Sequence, residues 1–116
     1  MLGIRNTFAR LAEELVKQNQ PEKAIGVLNK CMEIMPHESV PFDVFTLRII
    51  TAYFNAGAME KADEILAKYD NILQKERDYY ASLSLSHSKV LEEEISENQY
   101  LLEQIGTIRR DMAIHP

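Results

Sequence analysis

The sequence predicts an all-α fold of antiparallel helix pairs, about five helices in all, whose last helix caps the array. Apolar residues recur at three- and four-residue steps along most of the chain, which places them on one face of a helix. The stretch from Phe42 to Ile114 contains two glycines and no proline, whereas an all-β fold needs frequent turn residues. A short pattern also returns 38 residues later, as it does in stacked helical arrays.

The first predicted pair consists of helix 1 over residues 4–19 and helix 2 over about 21–35. Asn19 tolerates a left-handed helix end, and Pro21 suits the first position of the next helix. Pro36 ends helix 2, because proline disfavours helix in the residue before it. The residues expected to face inward are Ile4, Phe8, Leu11, Ala12, Leu15 and Val16 in helix 1, and Ala24, Ile25, Leu28, Cys31, Met32 and Met35 in helix 2.

The second predicted pair follows a loop at residues 37–41. Helix 3 covers about 42–56, and Gly57 is placed to end it. Helix 4 begins near Met59 and runs to about residue 83, since no helix-breaking residue interrupts it. The expected inward residues are Phe42, Phe45, Ile49, Ala52, Tyr53 and Ala56, followed by Ala62, Ile65, Leu66, Tyr69, Leu73, Tyr80 and Leu83.

A serine-rich segment at residues 82–88 separates the pairs from the last helix. Its period of two allows a strand, but serine is a poor strand former and no second strand is present, so the pattern favours a turn. Ser86 or Ser88 would cap a final helix over about 88–112, with Arg109 and Arg110 in its last turn. Its apolar stripe consists of Leu91, Ile95, Leu102, Ile105 and Met112. We expect this helix to cap the array; the alternative is a homodimer formed through it.

An internal repeat supports this layout. Segments 21–30 and 59–68 share Glu, Lys, Ala, Leu and Lys at the same places, and Asn19 and Gly57 stand at the same offset. The small Ala24 and Ala62 allow the two helices of each pair to approach closely. The whole chain is predicted to be one domain, with repeats at about 5–38 and 43–83 and the capping helix at 88–112.

The spacing resembles the tetratricopeptide repeat, whose unit has about 34 residues. The residues that match its signature are Phe8, Leu11, Ala12, Leu15, Ala24, Leu28, Cys31 and Pro36, then Ile49, Ile50, Tyr53, Ala62, Leu66 and Tyr69. Phe8 and Ala12 replace the usual Trp and Gly. The resemblance implies a non-catalytic scaffold that binds a protein, or a neighbouring domain of the same parent chain, along its concave inner face.

A second resemblance covers about residues 4–83. Segments 5–11, 30–36 and 40–43 look like the soluble C-terminal segment of a family of large bacterial membrane proteins. The N-terminal half of that family is multi-pass and similar to protein O-mannosyltransferases. This resemblance implies the alternative function: an accessory domain, tethered to a bacterial inner membrane, that orients substrate or stabilises a glycosyltransferase-like enzyme. Any transfer chemistry would then lie in the membrane half.

The concave face is the predicted partner-binding surface. The residues expected to bind the partner are Asn6, Arg10, Lys17, Val44, Arg48, Phe54 and Asn55, with Ala9, Glu13, Val16, Leu47 and Thr51 exposed beside them. Arg10, Lys17 and Arg48 would hold the partner's carboxylates, while Val44 and Phe54 would provide apolar contact. Ala9 and Glu13 replace the Lys and Asn of the family's carboxylate clamp, so capture of a free C-terminus is not expected. The alternative is an ordinary solvated face that also contacts the last helix.

Several other classes of function find no support in the sequence. The net charge of −5 and the lack of a basic run argue against nucleic acid. No apolar stretch reaches the length of about 18 residues that membrane insertion needs. His37, His87 and His115 are far apart in sequence, Cys31 is the only cysteine and suits a buried position, and no nucleophile or phosphate-loop motif is present. No cofactor, metal or catalytic residue is therefore predicted.

Overall fold

The computed structural model describes residues 2–114 and contains six α-helices and no strand over this range. The helices are α1 (Leu2–Lys17), α2 (Pro21–Ile34), α3 (Val44–Asn55), α4 (Met59–Ala81), α5 (Leu85–Val90) and α6 (Glu92–Ile114). The all-α prediction is confirmed, but the predicted number of about five helices is wrong. The first four helices begin and end within about two residues of the positions that the sequence predicts.

The chain divides into two compact units, residues 1–65 and 66–116, and the division falls inside α4. In the first unit α1 packs against α2 and α3, and α2 also contacts α3. A short turn joins α1 to α2, while Arg5 near the start of α1 binds the carbonyl of Met35 at the end of α2. The two helices therefore run in opposite directions.

Two turns, 38 residues apart, have the same backbone conformation. Asn19 and Gly57 have positive φ values of 61° and 90°, as predicted for left-handed helix ends. The amide of Gln20 donates to the Leu15 carbonyl at 2.8 Å, and the amide of Ala58 donates to the Tyr53 carbonyl at 2.9 Å. Each turn is followed by a fully buried alanine, Ala24 or Ala62, also as predicted.

Helix α3 begins at Val44 rather than Phe42, because Asp43 caps it. The Asp43 carboxylate accepts a hydrogen bond from the Phe45 amide at 3.0 Å, and the Thr46 hydroxyl accepts one from the Asp43 amide at 3.1 Å. Such a reciprocal pair satisfies amides that have no helical partner. The core of the first unit includes Ala9, Ala12, Ala24, Leu28, Cys31, Met35, Leu47, Ile49, Ile50, Ala52, Tyr53, Ala62 and Ile65.

The prediction of which residues of α1 and α3 are buried is wrong in part. Ile4 and Leu11 are exposed, whereas Ala9 of α1 and Leu47 of α3, both predicted to be exposed, are buried. The reason is that α1 meets α2 and α3 on a side that carries Arg5, Ala9 and Ala12. The apolar stripe of α1 is wider than the surface that these neighbours cover.

In the second unit, α6 runs back along the last part of α4. Asp70 of α4 binds Arg109 of α6, and further along α4 the carbonyl of Leu73 accepts a hydrogen bond from Asn98. The two helices are therefore antiparallel. Leu66, Tyr69, Leu73, Leu101 and Ile105 are buried in this unit. The buried stripe of α6 thus includes Asn98 and Leu101, while Leu102 is only half-buried.

The prediction of one final helix over 88–112 is wrong. A turn at Leu91 separates α5 from α6, and α5 begins three residues earlier than the predicted helix start. Ser84, not Ser86 or Ser88, is the N-cap residue, and the Ser88 hydroxyl instead donates to the Leu85 carbonyl at 2.9 Å. None of the six helices combines the length and the apolar composition that crossing a bilayer requires.

Candidate interaction surface

The seven residues predicted to bind a partner all lie on α1 and α3 of the first unit. Arg10, Lys17, Val44, Arg48 and Asn55 are exposed, while Asn6 and Phe54 are half-buried. The first unit therefore brings these two helices together, but it does not leave all seven side chains equally accessible. The three cations among them differ in whether other residues of the chain already bind them.

Arg48 is held by residues of α1. Its Nε and one terminal nitrogen donate to the two carboxylate oxygens of Glu13, both at 2.8 Å, and its other terminal nitrogen donates to Asn6 Oδ1 at 2.7 Å. A two-point Arg–carboxylate pair of this kind is strong and directional. Glu13 therefore occupies the Arg48 guanidinium in this arrangement, so a partner's carboxylate would have to compete with Glu13 for it.

The same contacts change the ionisation of the pair. The hydrogen bonds from Arg48 lower the pKa of the Glu13 carboxyl below its usual value, which outweighs the opposing effect of partial burial. The charges of Lys17 and Arg10 act in the same direction as the charge of Arg48. The pKa of Arg48 is raised by the hydrogen bond to Glu13. The pair thus joins α1 to α3 as a stable ion pair at neutral pH.

An open depression of about 600 Å³ lies beside this pair. It is lined by Thr7, Arg10, Leu11, Glu13, Glu14, Lys17 and Arg48. Neither Arg10 nor Lys17 forms a salt bridge or hydrogen bond with any residue that the structure describes, although both influence Glu13 through space. The depression therefore offers two unpaired cations and the exposed side chain of Leu11.

Arg5 is a buried polar side chain beside this surface that the sequence analysis did not predict. It is fully buried and donates to the carbonyls of Pro41 at 2.7 Å, Met35 at 2.9 Å and Val40. Its guanidinium also lies 3.6 Å from the Asp43 carboxylate and 5.3 Å from the centre of the Phe42 ring. Arg5 thereby fixes the segment that joins α2 to α3. One sequence pattern does indicate the position of Arg5: its spacing from Ala9 and Ala12 places all three residues on one face of a helix.

His37, which belongs to the same segment, also stabilises it. Its Nδ1 accepts a hydrogen bond from the Phe42 amide at 2.9 Å, and the two rings meet edge to face with centroids 4.9 Å apart. His37 therefore acts here as a hydrogen-bond acceptor, which needs an unprotonated Nδ1. The linking segment is therefore ordered by two side chains, Arg5 from α1 and His37 from the segment itself.

Two other titratable groups of the first unit are packed between helices. The Tyr53 hydroxyl donates to Asn29 Oδ1 at 2.7 Å, and burial raises the pKa of Tyr53 far above its usual value. Burial likewise raises the pKa of the Cys31 thiol. The prediction that Cys31 is buried is confirmed. Both groups are therefore protonated at neutral pH.

The second unit contains a different set of polar contacts. Asn98 is buried and donates to the Leu73 carbonyl at 2.9 Å and to Glu76 at 3.4 Å. Burial raises the pKa of Tyr80, and the nearby Glu76, Glu94 and Glu97 act in the same direction. These contacts link α4 to α6, whereas α5 contains no buried residue.

Over residues 2–114, no three His, Cys, Asp or Glu side chains lie close enough together to hold a metal ion. His37 is occupied by the Phe42 amide, His87 lies on α5, and His115 falls outside the described residues. No protein-family model matches the chain, and no curated protein or solved structure was found to be similar to it.

Proposed function

We propose that the chain is a non-catalytic interaction scaffold of tetratricopeptide type, and that its first unit binds a protein partner through the depression beside α1. The observation that carries this proposal is the pair of unpaired cations, Arg10 and Lys17, next to exposed Leu11 in a chain whose net charge is −5. Glu13 and Glu14 also line the depression, but Glu13 is paired with Arg48, so the two unpaired cations outnumber the one remaining carboxylate and favour a partner that presents carboxylates.

The tetratricopeptide assignment is supported by equivalent positions in the two helix pairs. The positive φ values at Asn19 and Gly57, the matching turn hydrogen bonds and the buried Ala24 and Ala62 all recur at the same offset of 38 residues. In this class of array the first helix of each pair lines the inner surface. Helices α1 and α3 are those helices here, and the Glu13–Arg48 pair holds them side by side.

The partner's chemistry follows from the lining of the depression. Exposed ion pairs contribute little by themselves, so two cations alone would give weak binding. Contact with Leu11 supplies apolar burial, and the Thr7 hydroxyl, whose proton goes to the Gly3 carbonyl, remains available only as an acceptor. We therefore propose a partner segment with an apolar side chain flanked by carboxylates, supplied by another protein or by a neighbouring domain of the same parent chain.

The test is affinity capture with the wild-type chain and with the double variant Arg10→Glu and Lys17→Glu. A partner captured by the wild type should be lost by the double variant, because the charge of the depression is reversed. The matched control is Lys23→Glu with Lys75→Glu, which makes the same charge change at exposed positions outside the depression. Circular dichroism should show unchanged helix content in both. Retention of the partner by the double variant contradicts the assignment of this surface.

A second candidate function is the accessory domain of a membrane-bound glycosyltransferase-like protein. It is supported by the contacts of Arg5, which link residues from all three segments that carry the resemblance: Arg5 itself, Met35 and the stretch 40–43. An antibody against the domain, applied to fractionated native cells, distinguishes the two. A much larger band in the membrane fraction supports the accessory domain, and a band near 13.4 kDa in the soluble fraction dismisses it.

A further inference from the structure

The depression beside the Glu13–Arg48 pair follows the axis of α1. Six of its seven lining residues belong to α1, and the seventh is Arg48 of α3. Apart from Glu13, the lining residues of α1 are separated by helical steps of three or four residues, which places them in one row along the helix. All five are exposed, and they are Thr7, Arg10, Leu11, Glu14 and Lys17. We call this row the α1 stripe.

The charges of the α1 stripe alternate in sign. Arg10, Glu14 and Lys17 follow one another in the order positive, negative, positive. Opposite charges three or four residues apart often pair on a helix, yet no such pair forms between these three within the described chain. Glu14 instead accepts a hydrogen bond from Gln18 at 3.5 Å. Both cations are therefore available to a partner, and a carboxylate lies between them.

The distance between the two cations favours a helical partner. Arg10 and Lys17 are seven residues apart, which corresponds to about two turns, or ~10.5 Å along the helix axis. A partner helix presents two side chains at the same interval when they too are seven residues apart. In an extended chain, side chains on one face recur at about 6.7 Å and then at about 13 Å, so neither interval fits as well.

The lining of the depression also lacks the groups that hold an extended backbone. An extended segment exposes amides and carbonyls that need hydrogen-bond partners. A side-chain amide can serve both, but none of the seven lining residues is Asn or Gln, and Asn6 already accepts a hydrogen bond from Arg48 at 2.7 Å. A helical partner satisfies its own backbone and needs only side-chain contacts.

We propose that the partner segment is an amphipathic α-helix that lies along the α1 stripe. It presents two carboxylates seven residues apart, with a cation and an apolar side chain between them. The carboxylates face Arg10 and Lys17, the cation faces Glu14, and the apolar side chain contacts Leu11. Complementary charges at successive turns select the spacing as well as the sign. This inference rests on the proposed partner-binding role of the depression and adds the conformation and charge order of the partner.

The probe is a dye-labelled, hydrocarbon-stapled alanine peptide with two glutamates seven residues apart and a lysine and a leucine between them on the same face. Fluorescence anisotropy measures its binding to the full chain. The control peptide has the same composition, but its glutamates are five residues apart and lie about 140° from each other around the helix. It should bind about threefold more weakly, because it forms one exposed ion pair fewer. Equal binding of the two peptides, or no binding of the first at millimolar concentration, overturns the proposal.

A second control peptide tests the helical conformation. It is unstapled and carries a proline at a central position away from the binding face, so it cannot form a continuous helix. Its affinity should fall by about tenfold or more, although its charges are the same. Equal binding of the helical peptide and the proline peptide overturns the helical partner.

Variants of the chain assign the contacts. Arg10→Gln and Lys17→Gln should each weaken binding of the probe about two- to fivefold, as expected for loss of one exposed ion pair. Glu14→Gln should also weaken binding, because it removes the carboxylate that faces the lysine. Lys23→Gln is the matched control, since Lys23 is exposed on α2 outside the depression. Stronger binding to Glu14→Gln would mean that the proposed charge order is wrong.

Two results separate this inference from the proposed function. If the Arg10→Glu and Lys17→Glu double variant loses its captured partner but the helical and proline peptides bind equally, the depression remains the binding surface and the helical partner is overturned. If the double variant retains its captured partner, the surface itself is overturned, whatever the peptides do.

Discussion

Each of the two units of the chain buries one polar side chain that binds backbone carbonyls. The two side chains, however, stabilise different kinds of structure. Arg5 in the first unit binds carbonyls of Met35, Val40 and Pro41, all outside the helices, where no intrahelical amide serves them. Asn98 in the second unit binds the carbonyl of Leu73, which lies inside α4 and also accepts a helical hydrogen bond. Arg5 therefore orders a loop, while Asn98 only aligns two formed helices.

The largest expected effect is the loss of Arg5. Arg5→Met keeps the length of the side chain but leaves the loop carbonyls and Asp43 without their donor, which should lower the free energy of unfolding by about 4 kcal/mol. Urea unfolding followed by circular dichroism measures it. Arg10→Met is the matched control, because Arg10 lies on the same helix, is exposed and has no partner in the described chain. A loss below about 1 kcal/mol would mean that the loop is ordered without Arg5.

The second expected effect is smaller and belongs to Asn98. Asn98→Ala removes a hydrogen bond from a carbonyl that keeps its helical partner, so we expect a loss of about 1.5 kcal/mol. Hydrogen exchange should show faster opening of α4 and α6. Gln99→Ala is the control, since Gln99 is the exposed neighbour of Asn98 on the same helix. If Asn98→Ala lowered the free energy of unfolding as much as Arg5→Met does, the two buried side chains could not be said to differ in their contribution to stability.

The contrast between local and long-range contacts also explains which parts of the fold could be predicted from the sequence alone. The bounds of α1 to α4 follow from local signals, namely helical spacing, Pro21, Pro36 and Gly57. The break at Leu91 has no glycine or proline to mark it, so a single final helix was the natural prediction. The period-two pattern of Leu and Ser also concealed the six residues of α5.

The candidate site, like the fold, could be predicted from local sequence patterns only in part. The exposure of Arg10 and Lys17 follows from their position on the polar side of α1. The pairing of Arg48 with Glu13 joins residues 35 positions apart, and the contacts of Arg5 span 30 to 36 positions. Such contacts depend on which helices become neighbours, and helical spacing within one segment carries no information about that.

The smallest expected effect compares one ion pair between helices in each unit. Glu13 binds Arg48 through two oxygens at 2.8 Å, whereas Asp70 binds Arg109 through one contact at 3.1 Å. Because each pair keeps its arginine about half exposed to solvent, we expect Glu13→Gln to lower the free energy of unfolding by only about 0.5 kcal/mol at neutral pH, and Asp70→Asn by less. Salt should reduce both differences, since it screens exposed charges.

The pH dependence of the Glu13→Gln difference has a definite sign. The pKa of Glu13 is lowered from 4.5 in the folded chain, so its carboxylate binds fewer protons there than in the unfolded chain. Its stabilising contribution is therefore fully present above pH 4.5 and is lost as the pH falls through the folded value. Urea unfolding of the wild type and of Glu13→Gln should accordingly converge on acidification. If the two curves instead separate further in acid, the Glu13–Arg48 hydrogen bonds do not stabilise the folded chain, and the depression beside them loses its fixed wall.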